Sequence, residues 1–585
     1  MLAVILITAI LLFLLGYRFY GSWIARKLSL DDKHAVPSEF MYDGTDYVPA
    51  RTPVLFGHHF SSIAGAGPIV GPILAGLFFG WLPVVIWIIL GSILIGGVHD
   101  FGSMVASIRH KAHSVAELAK DYMTPLSFRL FLAFIWLTMV YIIVVFLDLT
   151  AVSFIDVRDA SGVETAQGTG VAVASGIFIL LAILLGVVNN RTNVPVWAST
   201  LIFVPALLVA IGLSSQIHSD GSYIPAFFAE PKHMWISLLL VYCLVASVTP
   251  VWILLQPRDY LSSFLLYITV LGGTLGIVVG TLNGGVTVSW PALVNPENAA
   301  FTDIAHLGPL FPILFITVAC GACSGFHSIV SSGTTAKQLK CESDAKRIGY
   351  GGMLVEGVVA LIALGTVMGL SFNLEALRSD PVALFSAGIG QFFNAFGVPV
   401  QYGTMLGLLA LSTFLLTTLD TCTRLARYVL QEFFGWDNAD ARIRWMATAL
   451  TLVLPAIMVF MTYTTPTGQH IPVWRAVWPV FGATNQLLAG LALLAVTVWL
   501  KRTGRTWLFA ALPMVFMVVM TMSATGMLMI GSSTAGPVRV IAIFLFVLGA
   551  MMVVEAFRAL RKPDVPPEPI VLRSELADAA PATGD

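Results

Sequence analysis

The sequence predicts an all-α polytopic membrane protein with about fifteen transmembrane helices. Of its 585 residues, 57% are hydrophobic and only 11% charged, with a mean hydropathy of +0.87, far outside the balance of soluble domains. Apolar runs of roughly 17 to 25 residues, long enough to cross a bilayer, recur along nearly the whole chain. The cationic residues segregate into alternate loops. A formal net charge of −1 excludes nucleic acid as a partner, because phosphate binding needs clustered positive surface. The partner is the lipid bilayer.

In chain order the runs fall near 2–20, 54–79, 81–107, 127–151, 171–189, 195–217, 233–256 and 260–282, then 309–331, 349–371, 401–430, 444–463, 476–500, 507–530 and 538–559. The first, LAVILITAILLFLLGY, has no basic residue before it and no cleavage site after it, so it reads as a retained anchor. With the N-terminus outside, all but five of the 31 Lys and Arg residues fall on the cytoplasmic side, Arg109, Lys120, Arg191, Arg258, Lys337 and Lys501 among them. The exceptions are Arg158, Lys232, Arg378, Arg475 and Arg539. That segregation predicts an N-out, C-in topology. The five cysteines (Cys243, Cys320, Cys323, Cys341, Cys422) show no secreted disulfide spacing and read as free thiols. Residues 563–585 have the composition of a disordered cytoplasmic tail.

Interrupted helices at matching positions of two inverted halves are how many transporters build a binding site. The second run contains GHHFSSIAGAGPIVGP, where glycine and proline stand where a spanning helix wants leucine. Irregular backbone at that depth must be buried in protein or line a cavity. The seventh run is interrupted at Ser247, Val248, Thr249 and Pro250. The two interruptions lie five helices apart and run in opposite directions, which predicts a five-plus-five inverted repeat of helices 2–6 and 7–11. Residues 1–50 then form a first helix and linker, 51–431 the ten-helix transport core, and 432–562 four additional helices. Close packing through small residues is the plainer explanation for such glycines. As a binding element, Ser61, Ser62, Gly65, Gly67, Pro68 and Gly71 would meet the substrate from one side and Ser247, Thr249 and Pro250 from the other. Half-helix amides and dipoles would attract an anion there.

Ionisable residues within spans are costly and mark function by default. His58 and His59 lie in helix 2, His99 and Asp100 in helix 3, Asp148 in helix 4, His327 in helix 9 and Glu356 in helix 10. Asp420 is followed at i+4 by Arg424, which predicts an ion pair along one face of helix 11. Glu356 has no cation at i±3 or i±4 and is a candidate proton carrier, with His58, His59, Asp100, His327 and Asp420 as further coupling candidates. In helix 9, Cys320, Cys323 and His327 are spaced i, i+3, i+7, but with no fourth ligand nearby no metal site is expected. Ser331, Ser332, Thr334 and Thr335 are oxygen donors suited to a hard cation such as Na+, or bonds to their own helix backbone. Thr484, Asn485 and Gln486 in helix 13, outside the predicted core, suggest helix-to-helix hydrogen bonds, with an oligomer contact as one use.

GHHFSSIAGAGPIVGP, the HDF at 99–101, TPVWILLQPRDYL, CGACSGFHSIVSSGTTAKQ, LDTCTRLARY and FGATNQLLA together resemble the carbon starvation protein A (CstA) family of bacterial inner-membrane transporters. The resemblance runs from about residue 1 to 560. It implies a LeuT-type five-plus-five fold and proton-driven uptake of pyruvate, with peptide uptake as the alternative, and no cofactor beyond a coupling ion, H+ or Na+. An enzyme is not expected. The competing reading, a redox protein holding haem through His58, His59, His99 and His327, lacks facing histidine pairs and leaves the helix breaks unexplained.

Overall fold

The computed structural model describes residues 1–155, 157–158, 164–166, 168–192, 194–214, 217, 230–294, 308–370, 381–436, 440–464, 470–472, 478–531 and 536–579. Helix is drawn at each of the fifteen predicted positions. Among the described residues thirteen helices are long and apolar enough to cross a membrane, from Leu2–Lys27 to Val538–Leu560, and the bent pair Thr52–Ile63 and Gly67–Phe79 passes the same test when taken together. At the ninth position the chain runs Leu310–Thr317, leaves helical geometry, and resumes as Gly325–Val330. Two short antiparallel ribbons, Val157–Arg158 with Glu164–Ala166 and Thr462–Thr464 with His470–Pro472, lie between helices. Arg378 and Arg475, two of the predicted outer cations, lie outside the described residues.

The first break has a local cause. Ala64 leaves the helical region (φ −78°, ψ 50°), and the next helix starts with Gly67 and Pro68, whose ring nitrogen offers no hydrogen to the preceding turn. The two halves meet at 42°. The second break runs from Val318 (φ −93°, ψ 73°) to Ser324 (φ −130°, ψ 131°), within CGACSG. It is not at Ser247–Pro250. There the Pro231–Val248 helix simply ends, and the chain turns through Thr249–Leu254 into Leu255–Leu282. A Pro250 break reads the same in sequence whether it falls within a span or between two.

The two breaks pack on one another. A Cβ on Gly67 would sit 2.3 Å from Cys320 Sγ, and one on Gly71 2.6 Å from the Thr317 carbonyl oxygen. Each broken helix is followed by one with a π-helical turn: Trp81–Arg109, with its turn at Ser92–Gly96, and Lys346–Met368, with its turn at Lys346–Tyr350. After a shorter helix, Val115–Tyr122 or Pro381–Asn394, comes a long one, Pro125–Ser153 of 29 residues or Val400–Phe434 of 35, and these two pack together. Matching the halves on these features keeps a five-plus-five core but changes its members. The first half takes Pro231–Val248 and Leu255–Leu282 as its last two helices. The second starts at Leu310 and ends with Trp478–Arg502. On this matching the Gly168–Arg191 and Val196–Ser214 pair is an inserted hairpin, and the predicted boundary at 431 falls within Val400–Phe434.

The tail departs from expectation as well. Val565 N–H donates to the Arg502 carbonyl (2.8 Å), Ala35 N–H to the Val571 carbonyl (2.8 Å) and Arg573 N–H to the Lys33 carbonyl (3.0 Å). Arg505 pairs with Glu568 at 2.7 Å and Arg573 with Glu39 at 2.9 Å. Residues 563–579 therefore form a strap across loops of the same face, held by backbone pairing that composition does not reveal. Residues 580–585 lie outside the described set.

Candidate functional site

His58 and His59 sit in the last two turns of Thr52–Ile63, just before the break. Neighbours on a helix point about 100° apart, so the two imidazoles enter different clusters. His58 Nδ1 donates to Asp259 Oδ2. Its Nε2 accepts from the Thr334 hydroxyl at 3.2 Å, and Thr334 Oγ1 accepts from Gln338 Nε2 at 2.9 Å. A neutral imidazole protonated on Nδ1 satisfies that chain. Asp259 also accepts from Arg258 (Nε 2.9 Å, Nη2 2.5 Å), and Arg258 Nη1 reaches Asp420 Oδ2. Tyr242 donates its hydroxyl to Asp420 Oδ2 at 2.6 Å. Arg258, Asp259 and Asp420 are all fully buried.

The second cluster gathers at the other break. Asp100 accepts from His99 Nδ1 at 2.7 Å and from His327 Nδ1 at 3.0 Å. His327 Nε2 faces Glu356 Oε2 at 3.4 Å. His59 Nδ1 bonds Thr335 Oγ1 at 2.9 Å. All of these groups are buried to 0% exposure. Among the described residues no hydrogen bond reaches His59 Nε2, His99 Nε2, the Ser331 hydroxyl or the Glu356 carboxyl oxygens. One imidazole thus spans two carboxylates from different helices. A proton between His327 and Glu356 has two chemically reasonable seats within one short step.

Several predicted site residues stand elsewhere. Ser247 Oγ bonds Thr448 Oγ1 (3.2 Å), the Thr249 hydroxyl donates to the Val245 carbonyl (2.8 Å), and the Thr249 carbonyl accepts from Arg424. With Pro250 they form the turn beside Arg424, not the far wall of the break. Asp420 and Arg424 do not pair: Asp420 takes Arg258, while Arg424 takes Asp46 at 2.9 Å. Tertiary partners closer than the i+4 neighbour win both. Ser61 Oγ donates to the Asp259 carbonyl (3.0 Å), Ser62 Oγ to the His58 carbonyl (2.8 Å), and Ser332 Oγ to the Ser328 carbonyl (2.7 Å). Gly65 faces Thr418 of Val400–Phe434, while Gly67 and Gly71 face the second broken helix, where they allow close packing of the broken pair. Pro68 starts the second half-helix. Asp148 pairs with Lys232 at 2.5 Å.

Three participants escape sequence reading. Arg258 reads as a cytoplasmic loop charge, yet it lies in the first turn of Leu255–Leu282. Asp259 follows it there. Asn485, assigned outside the core, accepts from Phe326 N–H at 3.0 Å and from the Ser324 hydroxyl at 3.2 Å, capping the half-helix after the second break. The charged RDY triplet directly after a proline turn was the one available signal. The Cys320, Cys323 and His327 spacing loses its meaning because both cysteines lie in the non-helical break. His58, His99 and His327 each turn Nδ1 to a carboxylate.

A helical membrane body with buried imidazoles and carboxylates gathered where two packed helices are interrupted defines a transporter. The chain belongs to the family described as Carbon starvation protein CstA, whose model matches residues 1–377 and 369–524. It is 33% identical over 582 residues to the Peptide transporter CstA of Campylobacter jejuni, covering 88% of this chain and 79% of that one. It is 32% identical over 609 residues to the Pyruvate/proton symporter BtsT of Escherichia coli K12, covering 89% and 81%. The Peptide transporter CstA of Bacillus subtilis is 30% identical over 605 residues, covering 95% and 96%. Among solved structures, an Eremococcus coleocola manganese transporter aligns at a TM-score of 0.49 with 10% identity, over 89% of this chain and 99% of that one. The protein is a multi-pass membrane transporter, not an enzyme.

Proposed function

We propose that the protein imports a small carboxylate, pyruvate, by proton symport and alternating access across the bacterial inner membrane, with its N-terminus outside and C-terminus cytoplasmic. The observation that carries the proton is the buried Asp100–His327–Glu356 array, in which one imidazole faces two carboxylates. Loading a proton onto the Glu356–His327 pair, or releasing it, changes the charge held at the break, and the two helices that meet there are the elements alternating access must move. The half-helix beginning at Gly67 directs its dipole and first amides toward the break, which favours an anionic substrate. One relative is named for pyruvate and protons.

The second reading is peptide uptake. Relatives of similar identity are named peptide transporters, and a peptide's terminal carboxylate presents the same chemistry to an amide-lined break. Sodium is the alternative coupling ion. Thr334 and Thr335 are already engaged by His58 and His59, which favours the proton.

Labelled pyruvate uptake into proteoliposomes under an imposed proton gradient tests this, with a sodium gradient and a dipeptide competitor as parallel arms. Proton-driven accumulation insensitive to dipeptide is expected. Accumulation only with sodium, or only of dipeptide, replaces the ion or the substrate respectively.

A further inference from the structure

A cavity of about 410 Å³ opens between the start of the Thr52–Ile63 half-helix, the turn joining the inserted hairpin, and the first turn of Leu255–Leu282. Arg51, Asn189, Asn190, Thr192, Gln256 and Tyr260 supply its polar lining, and among the described residues no acidic side chain lines it. A concave site with one fixed cation, amide donors and no carboxylate concentrates small anions. On the predicted topology it faces the cytoplasm.

Its inner wall leads to the first cluster. Gln256, half-buried, donates Nε2 to Gln338 Oε1 at 2.8 Å. Gln338, fully buried, passes its own Nε2 to Thr334 Oγ1 at 2.9 Å and lies 3.4 Å from His58 Nε2. The Gln338 carbonyl accepts from Ala50 N–H at 2.9 Å, which ties it to the loop entering the first half-helix. The Gln256–Gln338 bond therefore links the cavity lining to the partners of His58. Such a bond exchanges for water at small net cost, so its opening shifts populations by a modest factor.

We propose that this cavity is the cytoplasmic vestibule through which the transported carboxylate leaves, and that the Gln256–Gln338 pair is the gate closing it from His58. The proposal rests on the carboxylate-import reading. Closing the gate seals the inner end of the first half-helix, and opening it exposes Thr334 and His58 to the cavity.

The test uses the full-length protein in sided membrane vesicles, with an Asn190→Cys variant modified by a membrane-impermeant maleimide and followed at that position by peptide mass spectrometry. Modification from the cytoplasmic face alone, slowed about fivefold or more by saturating pyruvate, is expected. Gln256→Leu and Gln338→Leu each raise the half-saturating external pyruvate concentration by about fivefold, the population shift expected from losing one such bond, and lower the half-saturating cytoplasmic concentration. The double variant, with two apolar side chains closing the same gap, recovers most of the asymmetry. Modification from the outer face, modification unprotected by a substrate the protein carries, or equal shifts on both sides overturns the proposal. If the protein carries a dipeptide and no pyruvate, the substrate reading fails by itself. The vestibule then stands if the dipeptide protects the Asn190→Cys variant, and falls if it does not.

Discussion

His327 joins Asp100 to Glu356: its Nδ1 lies 3.0 Å from Asp100 Oδ2 and its Nε2 3.4 Å from Glu356 Oε2. The imidazole belongs to the helix that follows the second break, Asp100 to Trp81–Arg109 and Glu356 to Lys346–Met368, so the array ties three helices of both halves. Glu356→Gln keeps the shape and removes the acid. It is expected to abolish accumulation driven by a proton gradient while sparing exchange of labelled for unlabelled substrate across the membrane. A variant that still accumulates pyruvate against its gradient removes Glu356 from the coupling route.

Gly67 and Cys320 make the tightest approach between the broken helices, with an added Cβ 2.3 Å from Sγ and 2.7 Å from the cysteine Cβ. Gly67→Ala is expected to lower stability by about 1–3 kcal/mol, the usual range for overpacking, and to reduce uptake. Adding Cys320→Gly removes the opposing side chain and should recover most of the loss. Thermal unfolding in detergent of the two single variants and the double completes the cycle. Additive effects would show that the two residues do not meet.

Arg258 neutralises Asp259 and Asp420 inside the helix bundle. Arg258→Met leaves two buried carboxylates without their cation, and a loss of about 3–5 kcal/mol is expected. Asp420→Asn introduced beside it removes one uncompensated charge and should return part of that stability. An Arg258→Met protein as stable as the parent would mean that the pair contributes nothing net.

Asp46 lies in the loop before the first half-helix, 4% exposed, beside Arg424 and Arg427. Burial pushes its carboxyl up, but Arg427, Arg424 and Lys337 outweigh burial and hold it at about 2, below the ordinary 3.8. The folded value is the lower one, so this stabilisation is fully present above about pH 4 and disappears as pH falls toward 2. Roughly two units correspond to about 2–3 kcal/mol. Unfolding temperatures measured from pH 5 to 2 should fall more steeply for the parent than for Asp46→Asn, which is itself destabilised by about 3 kcal/mol or more at neutral pH because two arginines lose their partner. Parallel curves would sink this account.

Much of the molecule is legible before any coordinates are known. Hydrophobic runs of bilayer length fall on helix wherever they occur among the described residues, because lipid forces backbone groups to bond within their own segment. The GAGPIVGP interruption is equally plain, since glycine and proline act locally. His58, His59, Asp100, His327, Glu356 and Asp420 stand out by being ionisable in apolar runs, and the structure gathers all six into the two clusters. The failures share another cause. The CGACSG break has no proline to announce it, and the Pro250 turn has one without being a break within a span.

What the sequence by itself determined, then, is the membrane class, the helical segments and the identity of the costly side chains, all of which follow from the chemistry of single residues and their immediate neighbours. Tertiary structure alone decided the partnerships: His58 with Asp259, His327 with Glu356, Asp420 with Arg258 rather than Arg424, and Asn485 with the second break. These join residues up to 201 positions apart for His58 and Asp259 and 162 for Arg258 and Asp420. A charge buried in a low-dielectric bundle takes whichever opposite charge packing brings within reach, and spacing along the chain does not carry that information.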